Sequence, residues 1–599
     1  MSAGGRAPAE ASRGDRGVLL GLLGLLAFAA AATPLRNYDY WWHLATGRLI
    51  LDEGRVPRAD PFSFTAAGAP WIDHEWLFQA LLYLGHTTVS PAGLVTLKIA
   101  AVMLLAWLLA TRLWREGHGP AGTAVLLAPA LAGAAFRLDV RPELATLLLL
   151  PPAIELAIRG RDGGGRRPLL VLPALAAIGA NLHVGIVLLP VILLAGAALT
   201  VLHERIVAPP GTAGSAAPAS FAPRLALTAL AAALATGFNP YGWGIWRVPF
   251  ELSRVLAGLP SPNLEWARPA PGDFPLFFAA AAIAILVLVA GFRRIDPIGA
   301  AALLIAAVLA FLHLRNIGLF FLLLPLGLAR PARALVAAAQ KARLYRTGMA
   351  GGRVRPGFVA AAVVLVGSIP AIALLPPRIA WGLGVAADNE PWAAGDFLER
   401  EQVGGRLFND VRFGGYLIWR RAPAHRVYID GRNEVYADLL KETFEALKDP
   451  EAWTALLERH GIDAAFLRYP PTKQKVRYPG RPGGPPIAGE RAFAAAYFPK
   501  DRWALVYWDD DAMIYLKRSP GNAGRIDRLE YRAIHPDDWQ YLFAGVLVGR
   551  VPVGPILGDL DRKLREDPAC LRAQRLRAGF AGLADELARR DPAAVIPGG

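Results

Sequence analysis

Three acids stand close together early in the chain. Asp39 lies within Tyr38-Asp39-Tyr40-Trp41-Trp42-His43, and Asp73 and Glu75 lie within Trp71-Ile72-Asp73-His74-Glu75-Trp76. A carboxylate placed against a hydroxyl nucleophile takes its proton, which is the work of a general base. Asp39 is the candidate base, with Asp73, His74 and Glu75 in support. Asp39 also precedes a helix-like stretch, where an acid serves as an N-cap. Tyr38 and Trp42 flank it as candidate substrate contacts, although Trp41 and Trp42 equally suit rings anchored at a membrane interface. His43, His74 and His183, with Asp39, Asp73 or Glu75, are the donor types that hold a divalent cation, the one cofactor these residues admit. No fixed ligand spacing supports that metal. Arg137, Arg141 and Arg315 suit bidentate contact with a phosphate, or else snorkelling at helix ends. Glu265, in Asn-Leu-Glu-Trp at 263–266, completes the set of candidate substrate contacts.

These residues are punctuation between long apolar runs. Of 599 residues, 54% are hydrophobic and 19% charged, and the mean hydropathy is +0.34. Ordinary soluble domains have about 25% charged residues. That balance excludes a mainly disordered chain and a purely soluble enzyme. Runs suited to crossing a bilayer fall at Gly17–Leu35, Ala92–Leu113, Gly119–Phe136, Glu143–Ile158, Pro168–Ala180, Val184–Leu202, Arg224–Phe238, Phe274–Gly291, Pro297–Leu312, Gly318–Ala329 and Gly357–Leu375, about eleven crossings. Trp76–Val89 is short for a crossing and reads as interfacial or re-entrant. The single cysteine, Cys570, excludes an internal disulfide framework and reads as buried packing.

The formal charge of +15 raises nucleic acid or anionic lipid as a partner, and its placement decides for the lipid bilayer and against nucleic acid. Arg6, Arg13 and Arg16 precede the first run. Arg159, Arg161, Arg166 and Arg167 share one turn, Arg293 and Arg294 another. Arg330, Arg333, Lys341, Arg343, Arg346, Arg353 and Arg355 form an acid-free loop. Cytoplasmic loops carry such excess, so a cytoplasmic N-terminus puts every cluster on that side, and that face reads as merely basic. A cleaved signal peptide ending near Ala30-Ala31-Ala32 is the alternative for the first run. The candidate residues then gather on the outer face, where polar groups at membrane depth mark a site. The expected organisation is a cytoplasmic tail (1–16), a polytopic domain (17–376) with its first outer loop at 36–75, an extracytoplasmic α/β domain (377–535) and a helical C-terminal segment (536–599).

In the exported part, 406–410, 426–430, 463–468, 503–508 and 512–517 read as strands. Phe413–Arg420, Tyr436–Leu447 and Pro450–His460 read as helices, and Thr472–Pro486 as a surface loop. Gly414 and Gly415 suit a tight turn before a helix. Asp430, Arg432 and Glu434 read as solvated loop charges, with contact to an acceptor as the alternative. The stretch from Leu560 to Gln574 resembles half of a tetratricopeptide-type hairpin, and one unit makes no solenoid.

Tyr38 to Arg48, the segment Gly54-Arg55-Val56-Pro57-Arg58-Ala59-Asp60-Pro61-Phe62-Ser63-Phe64, and Trp71 to Leu77 resemble a group of bacterial multi-pass proteins with glycosyltransferase-like membrane domains. Their broader relatives are the GT-C superfamily, which includes protein O-mannosyltransferases, aminoarabinose transferases and oligosaccharyltransferases. The resemblance covers roughly 17–376 in architecture. Phe413–Trp419 and Asp430–Tyr436 look like elements of the exported domain in the same group. It implies a mainly α-helical GT-C-like domain in the bacterial inner membrane. It further implies sugar transfer from a polyprenyl-phosphate-linked donor to an envelope acceptor on the extracytoplasmic face, with an acid of the first outer loop as catalytic carboxylate. Asp39 matches that position. Many members carry paired acids there, whereas here Asp39 is flanked by tyrosines, with Asp73 and Glu75 as the available second acid. The competing reading is a non-catalytic transporter of lipid-linked intermediates or a scaffold for envelope polysaccharide assembly.

Overall fold

The computed structural model describes residues 13–163, 165, 167–207, 220–258, 264–341, 356–374, 379–386, 390–469, 473–478 and 487–590. The expected features at Arg6, Arg166, Asn263, Arg343, Arg346, Arg353, Arg355 and 479–486 lie outside them. The chain divides into two compact units, one of residues 1–58 and 72–386, the other of 59–71 and 387–599.

The first unit is helical: α1 (Arg13–Ala31), α2 (Tyr40–Glu53), α3 (Trp76–Arg115), α4 (Pro120–Ala134), α5 (Glu143–Arg161), α6 (Arg167–Leu182), α7 (Leu188–Val207), α8 (Ala222–Ala235), α9 (Val248–Ala257), α10 (Pro275–Ala290), α11 (Pro297–Leu312), α12 (Ile317–Lys341) and α13 (Pro356–Leu374). Among the described residues, four helical stretches are long and apolar enough to cross a membrane, Trp76–Arg115, Pro120–Arg137, Val184–Val207 and Leu314–Ala339, and six more apolar helices are shorter. Each of the eleven runs read from sequence overlaps a helix. α5 is as long as α1 but carries Glu143, Glu155, Arg159 and Arg161.

Trp76–Val89 is helical, as expected, and meets the rest of α3 at a break where Ser90 adopts φ 66°, ψ 168° before Pro91. Proline disfavours helical geometry in the residue before it. α2 packs on α3 because Gly47 has no side chain: a Cβ there would stand 2.1 Å from the Gln79 carbonyl oxygen. Gly54, at φ 66°, ends α2 in the left-handed conformation, with its N–H on the Ile50 carbonyl. Trp41 and Trp42 are buried inside this unit, not set out as interfacial anchors.

The helix ends opposite the candidate site are not merely basic. Arg112 and Glu155 are buried, and Arg112 faces Glu116 at 2.9 Å, Glu155 at 3.4 Å and Asp162 at 3.6 Å. Arg330 pairs with Asp162 and with Asp296, the latter at 2.8 Å. Asp296 also caps α11, accepting the Ile298 and Gly299 N–H groups at 3.0 Å with Pro297 as first helical residue. Acids from three helices neutralise the arginines there.

The second unit holds α14 (Trp392–Arg400), β1 (Arg406–Asn409), α15 (Val411–Arg421), α16 (Ala437–Ala446), α17 (Pro450–Arg459), β2 (Ile462–Arg468), β3 (Lys473–Tyr478), β4 (Ile487–Ala492), α18 (Phe493–Tyr497), β5 (Trp503–Trp508), β6 (Ala512–Lys517), α19 (Ala523–Leu529), α20 (Trp539–Leu547), α21 (Val553–Glu566) and α22 (Leu571–Arg590). One sheet runs β1-β2-β6-β5, with β1 parallel to β2 and the other pairs antiparallel. β3 and β4 form an antiparallel pair, so part of the expected loop at 472–486 is strand. Phe408, Trp453, Trp508 and Tyr515 share one core with Ile556 and Phe580 of the C-terminal helices and with Cys570.

Residues 426–430 are not a strand. The Asn409 side chain takes their backbone groups, accepting from Tyr428 N–H at 2.9 Å and donating to the Ile429 carbonyl at 2.7 Å. Val427 makes only an isolated bridge, to Ser63. Asp430 and Arg432 are not solvated: both are buried, with Asp60, in an ion cluster of this unit.

Candidate active site

The segment between α1 and α2 that carries Asp39 is held from two sides. Lys98 of α3 donates to the Thr33 carbonyl at 2.9 Å and its hydroxyl at 2.7 Å. The strap after α13 adds backbone bonds, Gly382 N–H to Ala32, Leu35 N–H to Gly384 and Ala386 N–H to Leu35. Asp39 then stands at the N-cap position of α2 but makes no capping hydrogen bond. Its carboxylate accepts from Trp42 Nε1 at 3.0 Å and faces Arg141 Nη2 at 3.9 Å, with 16% of the side chain exposed. Burial pushes this carboxyl up to about 7, against the pull of Arg141 and Trp42 and with a further push from Glu265 and Glu75. The capping role gives way to an accessible carboxyl that titrates near neutrality.

Arg141 belongs to a network. It pairs with Glu265 at 2.7 Å, and Arg137 reaches the same glutamate at 3.1 Å. Arg137 also pairs with Glu143, and Arg315 lies 3.5 Å from Glu143 and 5.0 Å from the centre of the Trp266 ring. The arginines therefore do not snorkel toward water; each has an acidic partner inside the unit. Although burial opposes it, Arg141 and Arg137 hold the Glu265 carboxyl well below the usual range.

A second group centres on Glu75. His74 Nε2 lies 3.4 Å and His43 Nδ1 3.8 Å from its carboxylate. Burial works against ionisation, but His74 and His43 keep Glu75 well below an ordinary carboxyl. His183 Nδ1 accepts from Gly185 N–H at 3.2 Å and lies 2.8 Å from the Thr146 hydroxyl. The backbone donor assigns the remaining ring hydrogen of neutral His183 to Nε2. Burial pushes its pKa down to about 3, so the ring is neutral.

Asp73 is buried, and its carboxylate accepts from Gln79 Nε2 at 2.8 Å. The same amide nitrogen is 3.3 Å from His43 Nδ1. Oδ2 of Asp73 has no hydrogen-bond partner among the described residues. Burial, then the charge of Glu75, pushes this carboxyl up to about 7. The Tyr241 hydroxyl accepts from Asp73 N–H at 3.0 Å and donates to the Pro57 carbonyl at 2.9 Å, fixing the segment.

Asp39, Glu75, Glu265, Arg141 and the histidines thus belong to one electrostatic neighbourhood, with Trp42 tied to Asp39. Tyr38 is half-buried beside them. Reasoning from sequence passed over Glu143, Gln79, Lys98 and Tyr241. Lys98 and Gln79 were visible as polar residues in apolar runs. Glu143 and Tyr241 stand at the ends of apolar runs, where no local pattern assigns them a role. Among the described residues no group of three or more His, Cys, Asp or Glu is arranged to hold a metal ion. His43 and His74 lie against the Glu75 carboxylate, and no donor set for a divalent cation is assembled among the described residues.

Two carboxyls titrating near 7 beside one held ionised is an arrangement in which environment separates acid and base roles. No protein-family profile matches the chain, and no curated protein matches it. Among solved structures, the archaeal oligosaccharyltransferase AglB from Archaeoglobus fulgidus, in complex with an inhibitory peptide and a dolichol-phosphate, matches with 12% identity. The match covers 76% of this chain and 70% of that one, at a TM-score of 0.45. A likeness that distant assigns no residue role.

Proposed function

We propose that this chain is an integral-membrane glycosyltransferase that moves a sugar from a polyprenyl-phosphate-linked donor to an envelope acceptor on the extracytoplasmic face. The acceptor hydroxyl oxygen bonds to the anomeric carbon as the bond from that carbon to the phosphate oxygen breaks. The hydroxyl proton passes to the Asp39 carboxylate, and the lipid phosphate leaves as an anion. The observation that carries this reading is Asp39 itself: a carboxyl that caps nothing, is partly exposed and titrates near 7, where a base works best at neutral pH. Arg137, Arg141 and Arg315 would stabilise charge on the leaving phosphate. Asp73 and Glu75 are the supporting acids, and His43 and His74 orient Glu75.

A second reading is favoured by the pairing of all three arginines with Glu143 or Glu265. Arginines so balanced also fit a transporter or assembly scaffold in which the network only holds helices together. The experiment that separates the two measures transfer from labelled polyprenyl-phosphate sugars by purified wild type and Asp39→Asn, with folding checked on both. Transfer that falls by about 100-fold or more in the variant supports the enzyme. Lipid binding by both proteins without transfer from any donor favours the scaffold.

A further inference from the structure

Two guanidinium groups converge on a single oxygen of Glu265. Nη1 of Arg137 is 3.1 Å and Nη1 of Arg141 2.7 Å from Oε1, while Nη2 of Arg141 is 3.3 Å from Oε2. Arginines fork onto phosphate oxygens in the same way. The other carboxylate of the network, Glu143, begins α5 and is 9% exposed, whereas Glu265 is 31% exposed and rides on the three-residue turn Leu264–Trp266. That turn is pinned from behind, by Leu314 N–H on the Ala267 carbonyl and by His313 Nδ1 on the Trp266 carbonyl, both at 2.9 Å. The Glu265 side chain can therefore swing out through its own torsions while the turn stays in place. Three arginines against two glutamates leave one positive charge when Asp39 is protonated, and two when Glu265 departs.

Chain neighbours of two of these arginines help line an apolar cavity of about 360 Å³, whose walls include Phe136, Phe274, Phe277, Ile317 and Phe321. Phe136 directly precedes Arg137, and Ile317 follows Arg315 by two residues. This volume lies within the range of small-molecule pockets, about 300–1,000 Å³. A cationic fork beside an apolar cavity matches an anion with a hydrocarbon tail.

We propose that Glu265 is an internal stand-in for the phosphate of a lipid phosphate. The incoming phosphate displaces the Glu265 carboxylate from Arg137 and Arg141, and its hydrocarbon chain enters the cavity beside Phe136. This rests on reading the two arginines as donor contacts, and its test uses binding so that it stands or falls apart from catalysis.

The experiment titrates full-length protein in detergent with farnesyl phosphate, inorganic phosphate and farnesol. Removing the internal competitor in Glu265→Gln is expected to tighten farnesyl phosphate by about tenfold, to leave farnesol unchanged, and to be reversed by adding Arg141→Gln. An equal gain for inorganic phosphate upholds the exchange of anions and moves its source from lipid to free phosphate. Unchanged or weaker binding of both phosphates to a folded Glu265→Gln protein overturns the proposal. Should that variant not fold, Glu265→Asp reads the same event, because its shorter side chain competes less well for the arginines: tighter farnesyl phosphate binding is expected, and unchanged binding overturns the proposal. Tightened binding with no sugar transfer from any donor would leave the stand-in intact while removing the enzyme reading.

Discussion

Asp39 and Asp73 share a raised pKa and differ in what surrounds them. Asp39 keeps contact with solvent and with Arg141, so its titration belongs to turnover. With a base ionising near 7, kcat/KM is expected to rise about tenfold per pH unit below that value and to level above it. A flat profile between pH 5.5 and 8.5 would remove Asp39 from the role of base. Asp73 is buried with one oxygen unpartnered, so its titration belongs to stability. Its carboxyl moves from an ordinary 3.8 to about 7 in the folded chain. Between those values the folded chain holds a proton that the unfolded chain has released. Its contribution is thus complete below about pH 3.8 and is lost as pH rises through about 7. Asp73→Asn should therefore be more stable than wild type above pH 7, by about 1–3 kcal/mol, with the difference vanishing near pH 4. Denaturant titration in detergent at the two pH values checks this. Asp39 was legible in the sequence because it is an acid just after the first apolar run. The arginines were legible too, but their partners were not: Glu265 is 128 residues from Arg137, and no local pattern announces that pairing.

At the scale of elements, apolar run length located the helices because burial of side chains in such runs is a local property of composition. What it missed were places where a single residue redirects the backbone. The kink of α3 is one, since Ser90 holds a φ/ψ combination that is essentially restricted to glycine and costs about 1–3 kcal/mol. Ser90→Gly should raise the midpoint of thermal unfolding in detergent, and a variant melting at or below wild type would show that the kink carries no strain. The false strand at 426–430 is another. Its alternation of Val, Tyr and Ile is strand-like, yet Asn409 satisfies the backbone groups that a neighbouring strand would need.

At the scale of the molecule, the second unit is discontinuous, drawing residues 59–71 from the first loop into a body otherwise made of 387–599. Inside that unit Arg432 donates to Asp60 at 2.7 Å and to Asp430 at 2.6 Å, with its guanidinium 4.6 Å from the Trp71 ring centre. All three charged side chains are fully buried. Breaking such a pair from one side costs about 3–5 kcal/mol, whereas replacing both partners by apolar groups costs much less. Arg432→Met, which leaves two buried carboxylates without their cation, should therefore destabilise the second unit strongly, and adding Asp60→Leu and Asp430→Leu should recover most of the loss, as read by tryptophan fluorescence during denaturation. Equal losses in the single and triple variants would refute the account. Sequence patterning read Arg432 as solvated because burial of a loop charge depends on which distant segment covers it.

That discontinuity also has a meaning in time. Thr65, whose hydroxyl donates to the Tyr428 carbonyl, is 363 residues from its acceptor in the chain. A ribosome adding about 5–20 residues per second reaches Tyr428 roughly 20–70 s after Thr65. For that interval the segment 59–71, with Phe62 and Trp71 uncovered and Asp60 unpaired, waits for a body that has not been made. Its safekeeping during synthesis falls to whatever holds nascent chains at the membrane.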